Sequence, residues 1–225
     1  MKSKNIENEY LGGLSRRDAL KSAAAASLGV ASGAFGVPNA AKAPSISSKD
    51  YIREENSKKG TRDWRLTKTK TIPGKINKIL DNGRCQAIEG YCNANSLRVG
   101  EKLKIMVSAN PASAFKLEIF RTGYYAGTGA RLMKSFDSLK AGTQPDPPIG
   151  ENYLRECQWE PTVELEIPKS WPSGVYLGKM TAERSGIQSY VIFIVRDDRP
   201  CDFLFQCSDL TWSAYNRWPA DYSIY

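Results

Sequence analysis

The chain contains no histidine. Within these residues that absence excludes a Ser-His-Asp or Cys-His nucleophile system, a histidine general base and zinc sites with imidazole ligands. Metal chemistry is left to carboxylate, phenolate or thiolate donors. Long hydrophobic runs are also lacking: apart from an Ala-rich stretch near the N-terminus, no apolar run reaches the length of a membrane span. The five cysteines (Cys85, Cys92, Cys157, Cys201 and Cys207) show no metal-type CxxC spacing and assign no disulfide pairing. What is present suits a folded protein. Over 225 residues, 41% are hydrophobic and 25% charged, enough for a sizeable core in one or two domains and too apolar for wholesale disorder.

The N-terminus has the parts of an export signal. Ser15-Arg16-Arg17-Asp18-Ala19-Leu20-Lys21 precedes a weakly hydrophobic run from Ser22 to Val37, and Ala41-Lys42-Ala43 supplies a small-residue cleavage site. The paired arginines point to the twin-arginine route, although Ala19 stands where such signals commonly carry Phe. Residues 1–43 are therefore read as a twin-arginine signal, with the twin-arginine translocase as the partner during export. Pro44 is awkward for signal peptidase, so the expected location is periplasmic or membrane-anchored through an uncleaved signal.

The formal charge is +8, and without residues 1–43 it is +5, from 26 basic and 21 acidic side chains. Basic residues concentrate between Arg53 and Lys78, including Lys58, Lys59, Arg62, Arg65, Lys68 and Lys70. Two readings fit: a solvated, extended lead-in over 44–84 with Trp64 as an anchor, or a phosphate-binding surface. No clustered basic face otherwise appears, and no nucleic-acid partner is expected.

From Cys85 to Arg196 short alternating segments are separated by turn residues. Lys102–Val107, Phe115–Phe120 and Val163–Ile167 alternate polar with apolar; Val175–Thr181 and the nearly all-apolar Tyr190–Val195 add two more. Asn110-Pro111, Pro145–Pro148, Pro168 and Trp171-Pro172-Ser173-Gly174 punctuate them. Seven or so strands, with almost nothing helical, predict a mainly β fold: an immunoglobulin-like β-sandwich over 85–197.

The composition then changes. Asp197-Asp198-Arg199-Pro200 is a polar break, and Phe203-Leu204-Phe205-Gln206 reads as a buried strand. Ser208–Thr211 offers capping residues before a helix start at Trp212–Asn216. Strand, loop and helix make the opening of an α/β domain over 198–225. One such unit cannot bury its own face, so the expectation is the N-terminal part of a longer protein or a truncated gene product, inactive by itself.

Few residues carry chemistry on spacing alone. Gly123–Gly129 lacks the Lys-Ser/Thr of a phosphate loop and precedes a strand-like Ala130–Phe136, so a glycine-rich hairpin with two exposed tyrosines is the simpler reading. Glu156, Glu160, Glu164 and Glu166 look like a carboxylate set, but the last two alternate along a strand and face solvent, so they are not read as a catalytic pair. Trp212, Tyr215, Trp218, Tyr222 and Tyr225 recur at helical spacing; they are either core or site residues placed after a strand of an α/β domain.

Ile88-Glu89-Gly90-Tyr91, Ser96-Leu97-Arg98-Val99-Gly100-Glu101 and Ile119-Phe120-Arg121-Thr122-Gly123-Tyr124-Tyr125 form a series with Trp171-Pro172-Ser173-Gly174-Val175-Tyr176, Ser189-Tyr190-Val191 and Thr211-Trp212-Ser213-Ala214-Tyr215-Asn216. From Asp63 to Tyr225 the chain resembles the large (β) subunit of N,N-dimethylformamidase and its relatives. The resemblance implies a β-sandwich joined to an α/β domain of glutamine-amidotransferase-like shape. It also implies a hydrolase of small amides using mononuclear ferric iron, held by two tyrosines and a glutamate. The two tyrosine contexts fit Tyr215 and Tyr225; the glutamate is expected after Tyr225. Asp209 and Asn216 would support the site or cap the helix. A homo-oligomer is compatible with this reading. The rival is a non-catalytic exported binding module that takes a carbohydrate or protein through Tyr124, Tyr125 and Trp159.

Overall fold

The computed structural model describes residues 48–69, 84–216, 218 and 219. The segment 1–43 read as a signal, the turn expected at Pro73-Gly74, Tyr222 and Tyr225 lie outside them. The described elements are α1 (Ser48–Ser57), β1 (Glu89–Cys92), β2 (Ser96–Arg98), β3 (Lys102–Ser108), β4 (Ser113–Thr122), β5 (Ala130–Ala141), β6 (Val163–Glu166), β7 (Gly174–Ala182), β8 (Gln188–Arg196) and α2 (Asp209–Ala214). No described helix is long and apolar enough to cross a membrane.

The strands form two sheets, one ordered β1-β3-β6 and the other β2-β8-β7-β4-β5. All neighbours are antiparallel except β2, which runs parallel to β8. This is the layered order of an immunoglobulin-like sandwich, as the alternation predicts. In β6 the period is clean: Val163 and Leu165 point into the core while Glu164 and Glu166 face solvent. Leu103, Ile105 and Val107 of β3 meet Phe115, Leu117 and Ile119 of β4, with Tyr176 of β7 and Phe193 of β8, in one continuous core. Tyr176 anchors it. Its ring stacks between Trp171 and Phe193 at centroid separations of 5.0 and 5.3 Å, and its hydroxyl donates to the Pro172 carbonyl at 2.6 Å. That local bond is the tyrosine corner of such sandwiches, and it explains the Trp171–Tyr176 motif.

At the outer edge, β5 does not keep step with β4. Asp137 and Ser138 occupy the space opposite Lys116, and Met133 is an extra residue between the partners of Ile119 and Phe120. Ser138 has a φ of 52°, in the left-handed region.

The lead-in differs from its expected extended form. It opens with α1, and its next residues cross the outer face of the larger sheet. Thr61 bridges Ala130 at the start of β5, the Asp63 carbonyl accepts from Lys179 Nζ of β7 at 2.5 Å, and Trp64 Nε1 donates to the Thr128 carbonyl at 3.0 Å. Tyr190 of β8 donates to the Trp64 carbonyl, and the Gln188 N–H donates to the Lys68 carbonyl at 2.8 Å. Gly60 makes the close approach possible, since a Cβ there would sit 2.1 Å from Thr128 Oγ1. The backbone is thus held by partners on the sandwich, while Lys59, Arg62 and Arg65 are exposed and Lys68 Nζ donates to the Ser185 carbonyl at 2.6 Å.

One carboxylate fastens α1. Glu55 is 3% exposed and accepts hydrogen bonds from Arg131 Nε, Lys58 Nζ and the Tyr125 hydroxyl at 2.7, 2.7 and 2.8 Å. Arg121 Nη1 in turn donates to the Tyr125 hydroxyl at 2.9 Å. This clamp holds Tyr125 and Ala126 in left-handed conformations (φ 39° and 54°) that neither residue favours alone. Tyr125 is accordingly buried, which corrects the reading of two exposed tyrosines; only Tyr124 is exposed.

Two further expectations are overturned. Phe203, Leu204 and Phe205 form no strand and are 90%, 90% and 83% exposed. An apolar strand is stable only between neighbours that take its hydrogen bonds and cover its faces, and no described residue pairs with this one. The helix after it is present as α2, but the Ser208 side chain makes no cap bond. All five cysteines are free thiols.

Burial alone would raise the Glu55 pKa, but the bonds from Arg131, Lys58 and Tyr125 outweigh it and leave the carboxyl below its ordinary value. The stabilisation from Glu55 is therefore complete above the unfolded carboxylate pKa of about 4.3 and is lost as pH falls through the lower folded value. Glu55→Gln should cost about 2 kcal/mol in urea unfolding at pH 7. The cost should shrink as pH falls through that window; an equal cost at low and neutral pH would show that the ionised carboxylate is not the fastener.

Candidate functional site

A concave feature lies beside β1. A cavity of about 620 Å³ is lined by Glu89, Tyr91, Arg155, Cys157, Trp159 and Trp218, among others. Next to it, sharing Gly90, Tyr91 and Asn216, a groove of about 420 Å³ runs between β1, β8 and α2, with Ile192, Asp209 and Trp212 on its walls.

One buried cation holds three of the lining residues, Glu89, Trp159 and Trp218. The Arg84 guanidinium donates from Nε to Glu89 at 2.6 Å, from Nη1 to Asp146 at 2.5 Å and the Gln144 carbonyl at 3.1 Å, and from Nη2 to the Ser108 hydroxyl at 3.1 Å. It also lies over the rings of Trp159 and Trp218, 5.1 and 5.6 Å from their centroids. Burial alone would lower the Arg84 pKa, but Asp146 and Glu89 more than compensate and hold it above the ordinary value. The other Glu89 oxygen accepts from Trp218 Nε1 at 2.9 Å, so one carboxylate joins the start of β1 to the indole that follows α2.

Aromatic rings complete the wall. Trp159 is 5.5 Å from Tyr91 and packs edge-on to Trp218 at 5.8 Å. Trp159 Nε1 donates to the Pro145 carbonyl at 2.7 Å. The Tyr91 hydroxyl donates to the Cys157 carbonyl and accepts from the Trp159 N–H, both at 3.1 Å, and burial raises its pKa. The nearby thiols are poor nucleophiles: burial pushes Cys157 up to about 11 and Cys92 up to about 12.

Of the residues singled out from the sequence, Tyr215 is described and Tyr225 is not. Tyr215 closes α2, its N–H donating to the Thr211 carbonyl at 3.0 Å, and is 68% exposed. Asp209 accepts from Asn95 Nδ2 at 3.3 Å, and Asn216 Oδ1 accepts the Trp218 N–H at 3.1 Å, so both organise the turns around α2. Among the described residues no group of three or more Cys, Asp or Glu side chains is arranged to hold a metal ion. Tyr215 has a hard phenolic oxygen of the type that suits ferric iron, but alone it is one donor and not a site. Trp212 and Tyr215 are exposed, so the core alternative for the aromatic tail is not realised at those positions. The three residues of the binding-module reading do not form a surface either, because Tyr125 is fully buried and Trp159 is 7% exposed. Sequence reasoning missed Arg84 and the pairing of Glu89 with Trp218; the one available hint was Glu89 within the Ile88–Tyr91 motif.

Residues 116–225, just under half of the chain, match the family described as N,N-dimethylformamidase beta subunit-like, C-terminal. The chain is similar to that family from β4 onward, through α2 and Tyr215. No curated protein matches it.

Arg84→Met should cost about 3 kcal/mol in urea unfolding, because it leaves Glu89 buried without its cation. It should also shift tryptophan emission as Trp218 is released. Arg84→Met combined with Glu89→Leu should recover most of the stability but not the emission, and a double variant no better than the single one would refute the pairing as the source.

Proposed function

We propose that the chain serves an exported amide (C–N) hydrolase of the N,N-dimethylformamidase kind. The observation that carries this reading is the family match over residues 116–225, which spans the Thr211–Asn216 motif and Tyr215. The substrate class is a small linear amide. Tyr215 and Tyr225 would hold a ferric ion through phenolate oxygens, with a glutamate as the third ligand; the lack of histidine is compatible with that donor set. When bound, such an ion supplies Lewis-acid polarisation of a carbonyl or activation of a water.

The chain's own residues have a positioning role in this reading. Tyr215 stands at the last turn of α2, whose backbone fixes the Cα of the phenol donor, and Asn216 sets the following turn through the Trp218 N–H. Trp218 is pinned to Glu89 and Arg84, so the segment after α2 is referenced to the sandwich.

Export is part of the proposal. Arg16 and Arg17 replaced together by Lys should leave the protein in the cytoplasm on cell fractionation; unchanged export would remove the twin-arginine assignment. The metal is tested on the product of the whole reading frame, alongside the 225-residue chain. Stoichiometric iron with a tyrosinate charge-transfer band, lost in Tyr215→Phe while far-ultraviolet circular dichroism is unchanged, is the expected result. Colour that persists in Tyr215→Phe would overturn the ligand assignment, and a protein without iron would overturn the metal.

A further inference from the structure

We propose that the groove between β1, β8 and α2 is a binding site for a small alkylammonium ion, the protonated form of a primary amine. The inference rests on the groove alone and stands whether or not the amide-hydrolase reading holds. At about 420 Å³ the space falls at the small end of the range of small-molecule sites. Its lining carries one charged side chain, Asp209, and neither Lys nor Arg.

Asp209 is half-buried and holds its charge with little help. Its Oδ2 accepts from Asn95 Nδ2 at 3.3 Å, a long bond from a neutral donor, and its Oδ1 meets no donor among the described residues. No cation among those residues pairs with it; Arg98 of β2 is already taken by Asp198 at 3.0 Å. A carboxylate partly withdrawn from water gains most from a charged N–H donor. Asp209, Trp212 and Ser213 stand at i, i+3 and i+4, so one face of α2 presents all three to the groove. Trp212 is 50% exposed, and an open indole is the best aromatic partner for a cation. The Ser213 hydroxyl can accept a second ammonium N–H, which favours a primary amine over a quaternary one. Opposite α2, Ile192 of β8 is 41% exposed and offers apolar surface to an alkyl chain. An anionic ligand would meet Asp209 as a like charge, and a neutral alcohol would forgo the attraction of both carboxylate and ring.

The probe is n-butylamine at pH 7, titrated into the 225-residue chain by calorimetry and tryptophan fluorescence, with 1-butanol and butyrate as comparators of the same length. Saturable one-to-one binding of butylammonium is expected, with 1-butanol and butyrate each at least about tenfold weaker, the range of a lost charge-assisted hydrogen bond. Asp209→Asn should weaken butylammonium by a similar factor and leave 1-butanol unchanged. Trp212→Leu, at a half-exposed position, should weaken it about two- to fivefold, as the loss of an exposed cation–π contact does. Equal affinity for butylammonium and 1-butanol, tighter binding of butyrate, undiminished binding in Asp209→Asn, or no butylammonium binding at tens of millimolar would each overturn the proposal. The comparator series is read on the unaltered chain, so it decides the matter even if a variant fails to fold.

Discussion

The buried Arg84 guanidinium is the interaction on which the organisation around β1 depends. A cation removed from water must be surrounded by acceptors, and Arg84 collects four of them from three places: Glu89 in β1, Ser108 at the end of β3, and Gln144 and Asp146 in the connection between β5 and β6. The two indoles against its faces bring in Trp159 and Trp218. Segments distant in the sequence are therefore held by one desolvated charge. Apolar packing of the same volume could stabilise the fold as well; a charge with fixed donors adds a single permitted arrangement.

Glu55 does the same on the opposite sign. Its carboxylate gathers Arg131, Lys58 and Tyr125 and, through Tyr125, Arg121. Several motifs of the family resemblance acquire a structural meaning here. Arg121 and Tyr125 build the clamp on α1, Tyr176 closes the tyrosine corner with Pro172, and Glu89 pairs with Arg84. These segments hold the sandwich together. Of the motifs of the resemblance, the one on which the hydrolase proposal turns is Thr211–Asn216, where Tyr215 stands at the end of α2.

The sandwich was legible because its signal is local. Alternation in Val163–Glu166 and Lys102–Val107 says which side chains turn inward, and turn residues say where strands stop. The α1 helix was not legible: SKDYIREENS is strongly polar and carries no apolar stripe, and it is held by Glu55 meeting residues far away in sequence. The buried charges were missed for the same reason, since nothing local distinguishes Arg84 or Glu55 from solvated neighbours. Tyr125 was misjudged because its burial depends on that clamp. Phe203–Phe205 were expected to be buried on composition, but apolar residues become a strand only where neighbouring strands receive them.

The irregular pairing of β4 with β5 bears on how copies of this protein can meet. A sheet grows by adding a strand to an edge whose hydrogen-bonding groups are in register over several residues. On the larger sheet, β5 carries two interruptions and a left-handed Ser138, and at the other end β2 is only three residues long. The smaller sheet ends in β1 and β6, each of four residues. None of these borders offers a long regular template, so backbone-mediated stacking of one molecule on the next is disfavoured by construction. Assembly, where it occurs, is left to side chains on faces and loops, where recognition can be selective.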